Sequence, residues 1–91
     1  MRVAESIERK LTQALAPDRL AVIDQSHLHA GHAGSRPGGE THFRVEIVAA
    51  CFRGVPRLAR QREVHRILAE ELAGPVHALS IAAQTPEEAG S

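Results

Sequence analysis

Aromatic side chains are almost missing from this sequence: Phe43 and Phe52 are the only two, and tryptophan and tyrosine do not occur. A core must therefore be built from Leu, Ile, Val and Ala, and no spare aromatic platform exists for stacking single-stranded nucleic acid. Cysteine occurs once, at Cys51, which excludes an internal disulfide and any multi-cysteine zinc or iron–sulfur site made by this chain alone. The formal net charge is zero, so there is no whole-molecule attraction to nucleic acid or to an anionic membrane. No apolar run approaches the roughly 20 residues that a membrane-spanning helix needs, and no membrane association is expected. Glu5 and Glu8 among the first apolar residues argue against a signal or transit peptide, which makes the cytoplasm the expected home. The 91 residues are enough for one domain, expected over 1–91, and 43% hydrophobic content is ordinary for a folded chain.

What is present divides into periodic segments and one unusual loop. Ile7, Leu11, Ala14 and Leu15 recur at helical spacing, and Pro17 with Asp18 stops that helix. "LAVI" at 20–23 reads as a short strand. "HFRVEIV" at 42–48 alternates cleanly, with Phe43, Val45 and Ile47 on one face and His42, Arg44 and Glu46 on the other. "FRGVPRL" is a turn, and a second helix is expected from about Pro56 or Arg57 to Ala73, burying Leu58, Val64, Ile67, Leu68 and Leu72. Gly74 and Pro75 end it. "VHALSIAA" then reads as a third strand, with His77, Leu79 and Ile81 on its apolar face. Strand, helix and strand form a βαβ unit, so the second and third strands should be parallel. Thr85, Pro86 and Glu88 make a capping box, and a short last helix or tail is expected over 85–91. The order α-β-β-α-β-α describes an α+β domain with a small three-stranded mixed sheet and helices packed on one face.

The unusual loop is "DQSHLHAGHAGSRPGGETHF" at 24–43, which holds His27, His29 and His32 of the six histidines. Neutral imidazole is the commonest metal ligand, and His-x-His-x-x-His can converge in an irregular loop. The same stretch also reads as a polar, pH-sensitive surface segment. His77 sits awkwardly at the start of an apolar strand face unless its ring nitrogens find a partner. His42, on the wet strand face, and His65, on an amphipathic helix, are set aside. "GSRPGGET" lacks the Gly-Lys-Ser/Thr ending of a phosphate-binding loop. "GHAG" fits a Gly-x-x-Gly pattern, but between strands rather than helices. A basic patch of Arg53, Arg57, Arg60, Arg62 and Arg66 surrounds the second helix, either as a nucleic-acid contact or as an ordinary solvated face. Cys51, Ser26 and Ser80 form no recognisable nucleophile arrangement, and no enzyme activity is expected.

"GETHFRVEIV", "FRGVPRLARQREVHRILAEEL" and "VHALSIAAQTPEE" together resemble the BolA family over nearly the entire chain. Glu40-Thr41-His42-Phe43, Phe52-x-Gly54, Arg60-x-Arg62 and Val76-His77-Ala78-Leu79 carry the resemblance. One departure is Gln61, where family members commonly have histidine. The resemblance implies a class II KH-like α+β fold, and a heterodimer with a monothiol glutaredoxin that shares a [2Fe–2S] cluster. Its thiolates would come from the glutaredoxin cysteine and glutathione. The isolated chain is expected to be a monomer with no cofactor of its own. The family's C-terminal histidine ligand maps onto His77. Its second ligand, a histidine or cysteine between the first two strands, maps onto His29, with His32 as competitor. The family's link to transcriptional control of cell shape and stress responses supplies the alternative expectation, a DNA-binding regulator using the arginine helix.

Overall fold

The computed structural model describes residues 2–26 and 41–90. Helix α1 spans Val3–Leu15 and turns Ile7 and Leu11 fully inward. It stops at Ala16, which takes a left-handed backbone (φ 44°) and donates its N–H to Thr12 O at 3.1 Å, just before Pro17. Strand β1 (Arg19–Asp24) runs antiparallel to β2 (His42–Val48), and β3 (Ala78–Gln84) runs parallel to β2. The sheet order is β1-β2-β3, the mixed topology expected from the βαβ spacing.

The alternation in β2 translates directly into burial. Phe43, Val45 and Ile47 are at most 2% exposed, and they meet Ile7, Leu11, Val64 and Leu68 in one core. Leu79 and Ile81 of β3 pack against that core partly buried. Helices α1 and α2 thus cover one sheet face, while Arg44 and Glu46 point to the other and pair with each other at 3.0 Å.

The segment expected as one helix over 57–73 is two: α2 (Arg57–Ile67) and α3 (Ala69–Ala73), broken at Leu68. Leu68 remains bonded on both sides, donating to Val64 O and accepting from Leu72 N. The break re-aims α3 so that Glu71 accepts from Ser6 Oγ at 2.7 Å and from Lys10 Nζ at 3.1 Å, tying it to α1. Burial of Glu71 alone would push its carboxyl up, but these bonds outweigh it and hold the carboxyl below its ordinary value.

A second correction concerns the face of α2. Leu58, expected in the core, is 61% exposed, whereas Arg60, expected outside, is 6% exposed. The buried stripe runs Arg60, Val64, Leu68 at intervals of four, and Leu58 falls roughly 120° from its centre around the helix. After β3, the capping box forms as expected: Glu88 N donates to Thr85 Oγ1 at 3.1 Å and Thr85 N to Glu88 Oε1 at 2.8 Å, opening α4 (Pro86–Gly90).

Ile47 is 0% exposed at the centre of this core, so Ile47→Ala should cost about 2–5 kcal/mol in urea unfolding. A loss below about 0.5 kcal/mol would mean that the β2 face is not the core face.

Candidate functional site

Parallel strands begin at the same end of a sheet, so the residues that open β2 and β3 become neighbours. The register sets His42 opposite Ala78, which brings the ring of His77 to 6.3 Å from that of His42, inclined at 25°. His77 does not itself belong to β3. It precedes the strand and is exposed, its backbone N–H held by Thr41 O at 2.7 Å, so the awkward apolar environment read from the sequence does not arise. The imidazole stands at the surface on a backbone that is hydrogen-bonded to the start of β2.

The same corner gathers both flanks of the 27–40 segment. Ser26 is 5% exposed, and its N–H is fixed by Asp24 Oδ1 at 2.9 Å. Its hydroxyl oxygen accepts Thr41 N–H at 2.8 Å and His42 N–H at 3.1 Å. Thr41, fully buried, places Oγ1 3.3 Å from Ser26 Oγ and 2.8 Å from His42 Nδ1. Ser26, Thr41 and His42 therefore form a continuous hydroxyl–hydroxyl–imidazole chain. It ties the tautomer of His42 to the orientation of two buried hydroxyls. When Nδ1 donates into the chain, the lone pair lies on Nε2.

The expectations for His29 and His32, like His27, fall on residues outside the described ones. Of the remaining histidines, His65 is exposed on α2. Among the described residues, no group of three or more His, Cys, Asp or Glu is arranged to hold a metal ion. A metal at the His77 corner would need donors from the 27–40 segment, from another molecule, or from both. His42, set aside from the sequence because it lies on the wet face, is the residue that the structure adds to this corner. Its signal was available in the parallel strand pairing, which makes the first residues of β2 and β3 adjacent.

The five arginines do not form one open face. Arg60 donates from Nε to Val55 O at 2.8 Å and from Nη1 to Ala83 O at 3.0 Å and Glu88 Oε1 at 2.7 Å, with its guanidinium 5.8 Å from the Phe52 ring centre. It is an internal cation that joins the turn before α2 to β3 and α4. Arg53 forms a two-pronged pair with Glu87 at 2.8 and 2.6 Å, and Arg57 lies 3.6 Å from Glu88. Arg66 pairs with Glu63 one turn away. Arg62 is exposed, with no acidic partner within 4 Å among the described residues.

The Arg60 hydrogen bond, together with the Thr85 N–H, holds the Glu88 carboxyl down to about 2 despite some desolvation. No helix among the described residues is long and apolar enough to cross a membrane.

A three-stranded mixed sheet with two helices on one face, and an exposed histidine just before β3 at one end, defines a small α+β domain. The sequence profile described as BolA-like protein matches residues 11–88, and the chain belongs to this BolA-like family. It is 51% identical over 88 residues to BolA-like protein 1 of Pongo abelii, covering 97% of this chain and 61% of that protein, so it spans only part of that relative. The solved structure of BolA1 from Arabidopsis thaliana superposes with a TM-score of 0.88 at 42% identity, covering 98% of this chain and 97% of that one. A third relative, 36% identical over 88 residues (97% of this chain, 82% of that protein), is the DNA-binding transcriptional regulator BolA of Haemophilus influenzae.

Two outcomes follow from this geometry. Ser26→Ala leaves two backbone N–H groups without their acceptor and should cost about 1–3 kcal/mol in urea unfolding, while Ser80→Ala, on the exposed strand face, should cost far less. Equal losses would deny Ser26 its anchoring role. Glu88 has a lowered carboxyl, so its stabilisation is complete above the unfolded value, about 4.3, and fades as pH falls towards about 2. The stability gap between the parent and Glu88→Gln should therefore be constant from pH 5 to 8 and close between roughly 4.3 and 2. A gap unchanged down to pH 2 would contradict the pairing.

Proposed function

We propose that this chain is an adaptor that docks on a monothiol glutaredoxin and shares a [2Fe–2S] cluster with it, in cluster trafficking or in iron and redox sensing. It acts by binding rather than by catalysing a reaction. The observation that carries this reading is the His77 corner: an exposed imidazole on a fixed backbone, packed on a second imidazole, beside both anchored flanks of the segment holding His27, His29 and His32.

In this reading His77 supplies one nitrogen ligand and His29 the other, with His32 competing. His29 lies three residues beyond the anchored Ser26, a reach of at most roughly 10 Å, and His32 six residues beyond, at most about 20 Å. The donor chemistry fits a shared site. Two neutral nitrogens from this chain leave the thiolates to the glutaredoxin cysteine and glutathione, and nitrogen ligation raises a cluster's potential relative to an all-thiolate site. The chain's own contribution is orientation: Thr41 holds the His77 backbone, and the His42 ring lies alongside at 6.3 Å.

A second reading, a nucleic-acid-binding regulator, is supported by the Haemophilus influenzae relative and by the exposed Arg62. Zero net charge, the absence of spare aromatics and the internal pairing of Arg53 and Arg60 set it behind the first.

The test is reconstitution with a monothiol glutaredoxin, followed by ultraviolet–visible and circular-dichroism spectra. His77→Ala and His29→Ala should each change the spectrum or shorten the cluster lifetime, the double variant more than either, and His32→Ala less. His65→Ala should match the parent. A His77→Ala complex indistinguishable from the parent, with His65→Ala altered instead, would overturn the ligand assignment.

A further inference from the structure

Two adjacent carboxylates, Glu87 and Glu88 on α4, lie against three of the five arginines around α2. Glu87 grips Arg53 with both oxygens, while Glu88 pairs with Arg60 at 2.7 Å and with Arg57 at 3.6 Å. A two-pronged carboxylate occupies the same guanidinium edge that a phosphate would use. Helix α4 buries none of its residues. It is held by its capping box and by these ion pairs. The Arg53–Glu87 pair is itself open to solvent, its side chains 56% and 63% exposed, so it contributes little stability and is screened by salt. Such a contact can be exchanged for another anion at little cost.

We propose that α4 is an autoinhibitory strap whose two carboxylates mask Arg53 and Arg57 from the phosphate backbone of a nucleic acid. Arg60 is not part of the masked surface, because it is buried and its Nε and Nη1 stay committed to the Val55 and Ala83 carbonyls whatever Glu88 does. Releasing the strap would free Arg53 and Arg57 together for phosphate contact. This inference rests on the second functional reading and sharpens it. The arginine end binds nucleic acid weakly as built and more strongly once the strap's charge is neutralised or displaced.

The substitutions that test it are conservative. Gln at 88 can still close a capping box, and Gln at 87 keeps the size of the side chain, so Glu87→Gln/Glu88→Gln removes charge while preserving the helix. Binding is measured by fluorescence anisotropy to a labelled DNA duplex of roughly 20 base pairs and arbitrary sequence, over a series of salt concentrations. The control is Glu5→Gln/Glu8→Gln on α1, which alters net charge equally and leaves the Arg53 and Arg57 ion pairs in place. The strap variant should bind about ten-fold more tightly at low salt, with a slope of log K against log salt steeper by nearly 2, one increment for each freed arginine. Adding Arg53→Ala and Arg57→Ala should return affinity and slope to the parent values. If the double variant does not fold by circular dichroism, Glu87→Gln alone leaves Glu88 in place and should give about half the change in slope through Arg53. A strap variant that binds no better than the control overturns the masking. If the parent then binds tightly, the second reading survives without a strap, and if neither protein binds, both fall.

Discussion

One buried hydroxyl sets the geometry on which the proposed site depends. Ser26 Oγ receives the N–H groups of Thr41 and His42, and Thr41 passes the restraint on by accepting the N–H groups of His77 and Ala78. The end of β1, the start of β2 and the entry to β3 are thereby joined at one corner. Without that junction the two parallel strands would still pair, but nothing would hold the flanks of the 27–40 segment beside His77. An exposed ligand gains precision from its backbone when its side chain has little packing of its own. Here the backbone of His77 is bonded to a residue that is itself fully buried.

At the other end of the sheet a buried guanidinium plays the corresponding part. Arg60 bridges the turn before α2, the end of β3 and the capping carboxylate of α4, a set of partners that a lysine's single ammonium could not span with fixed angles. Gln61 beside it donates to Ile81 O at 3.0 Å, so α2 also covers carbonyls along the open edge of β3. His77 precedes β3 and Thr85 follows it, with seven strand residues between them, which separates the imidazole corner from the arginine end by roughly 25 Å. A partner engaging one end need not displace a partner at the other. The adaptor reading and the nucleic-acid reading are therefore compatible in space, and α4 belongs to the second alone.

Much of this was legible from residues. The alternation of "HFRVEIV" specified both the strand and its buried face, and Thr85-x-x-Glu88 specified a capping box that formed with both hydrogen bonds. The parallel pairing followed from the length of the helix between the strands. The face of α2 was less legible, because its apolar residues Leu58, Val64, Ile67 and Leu68 do not share one stripe. The stripe that is buried begins with an arginine, whose partners lie 23 and 28 residues away. The break at Leu68 carries no glycine or proline, and the contact of α3 with α1 that accompanies it is one that no local pattern announces. His42 was read correctly as lying on the wet face, but its importance comes from the strand alongside.

The most direct measurement of the central claim is the imidazole nitrogen spectrum of the histidine-labelled chain bound to a glutaredoxin carrying its [2Fe–2S] cluster. Paramagnetic broadening should erase the His77 ring signals and reach the amides of Ser26, Thr41 and His42, while the His65 ring on the exposed side of α2 stays sharp. Sharp His77 signals at their unbound positions, with broadening centred on His65 and α2, would contradict the account.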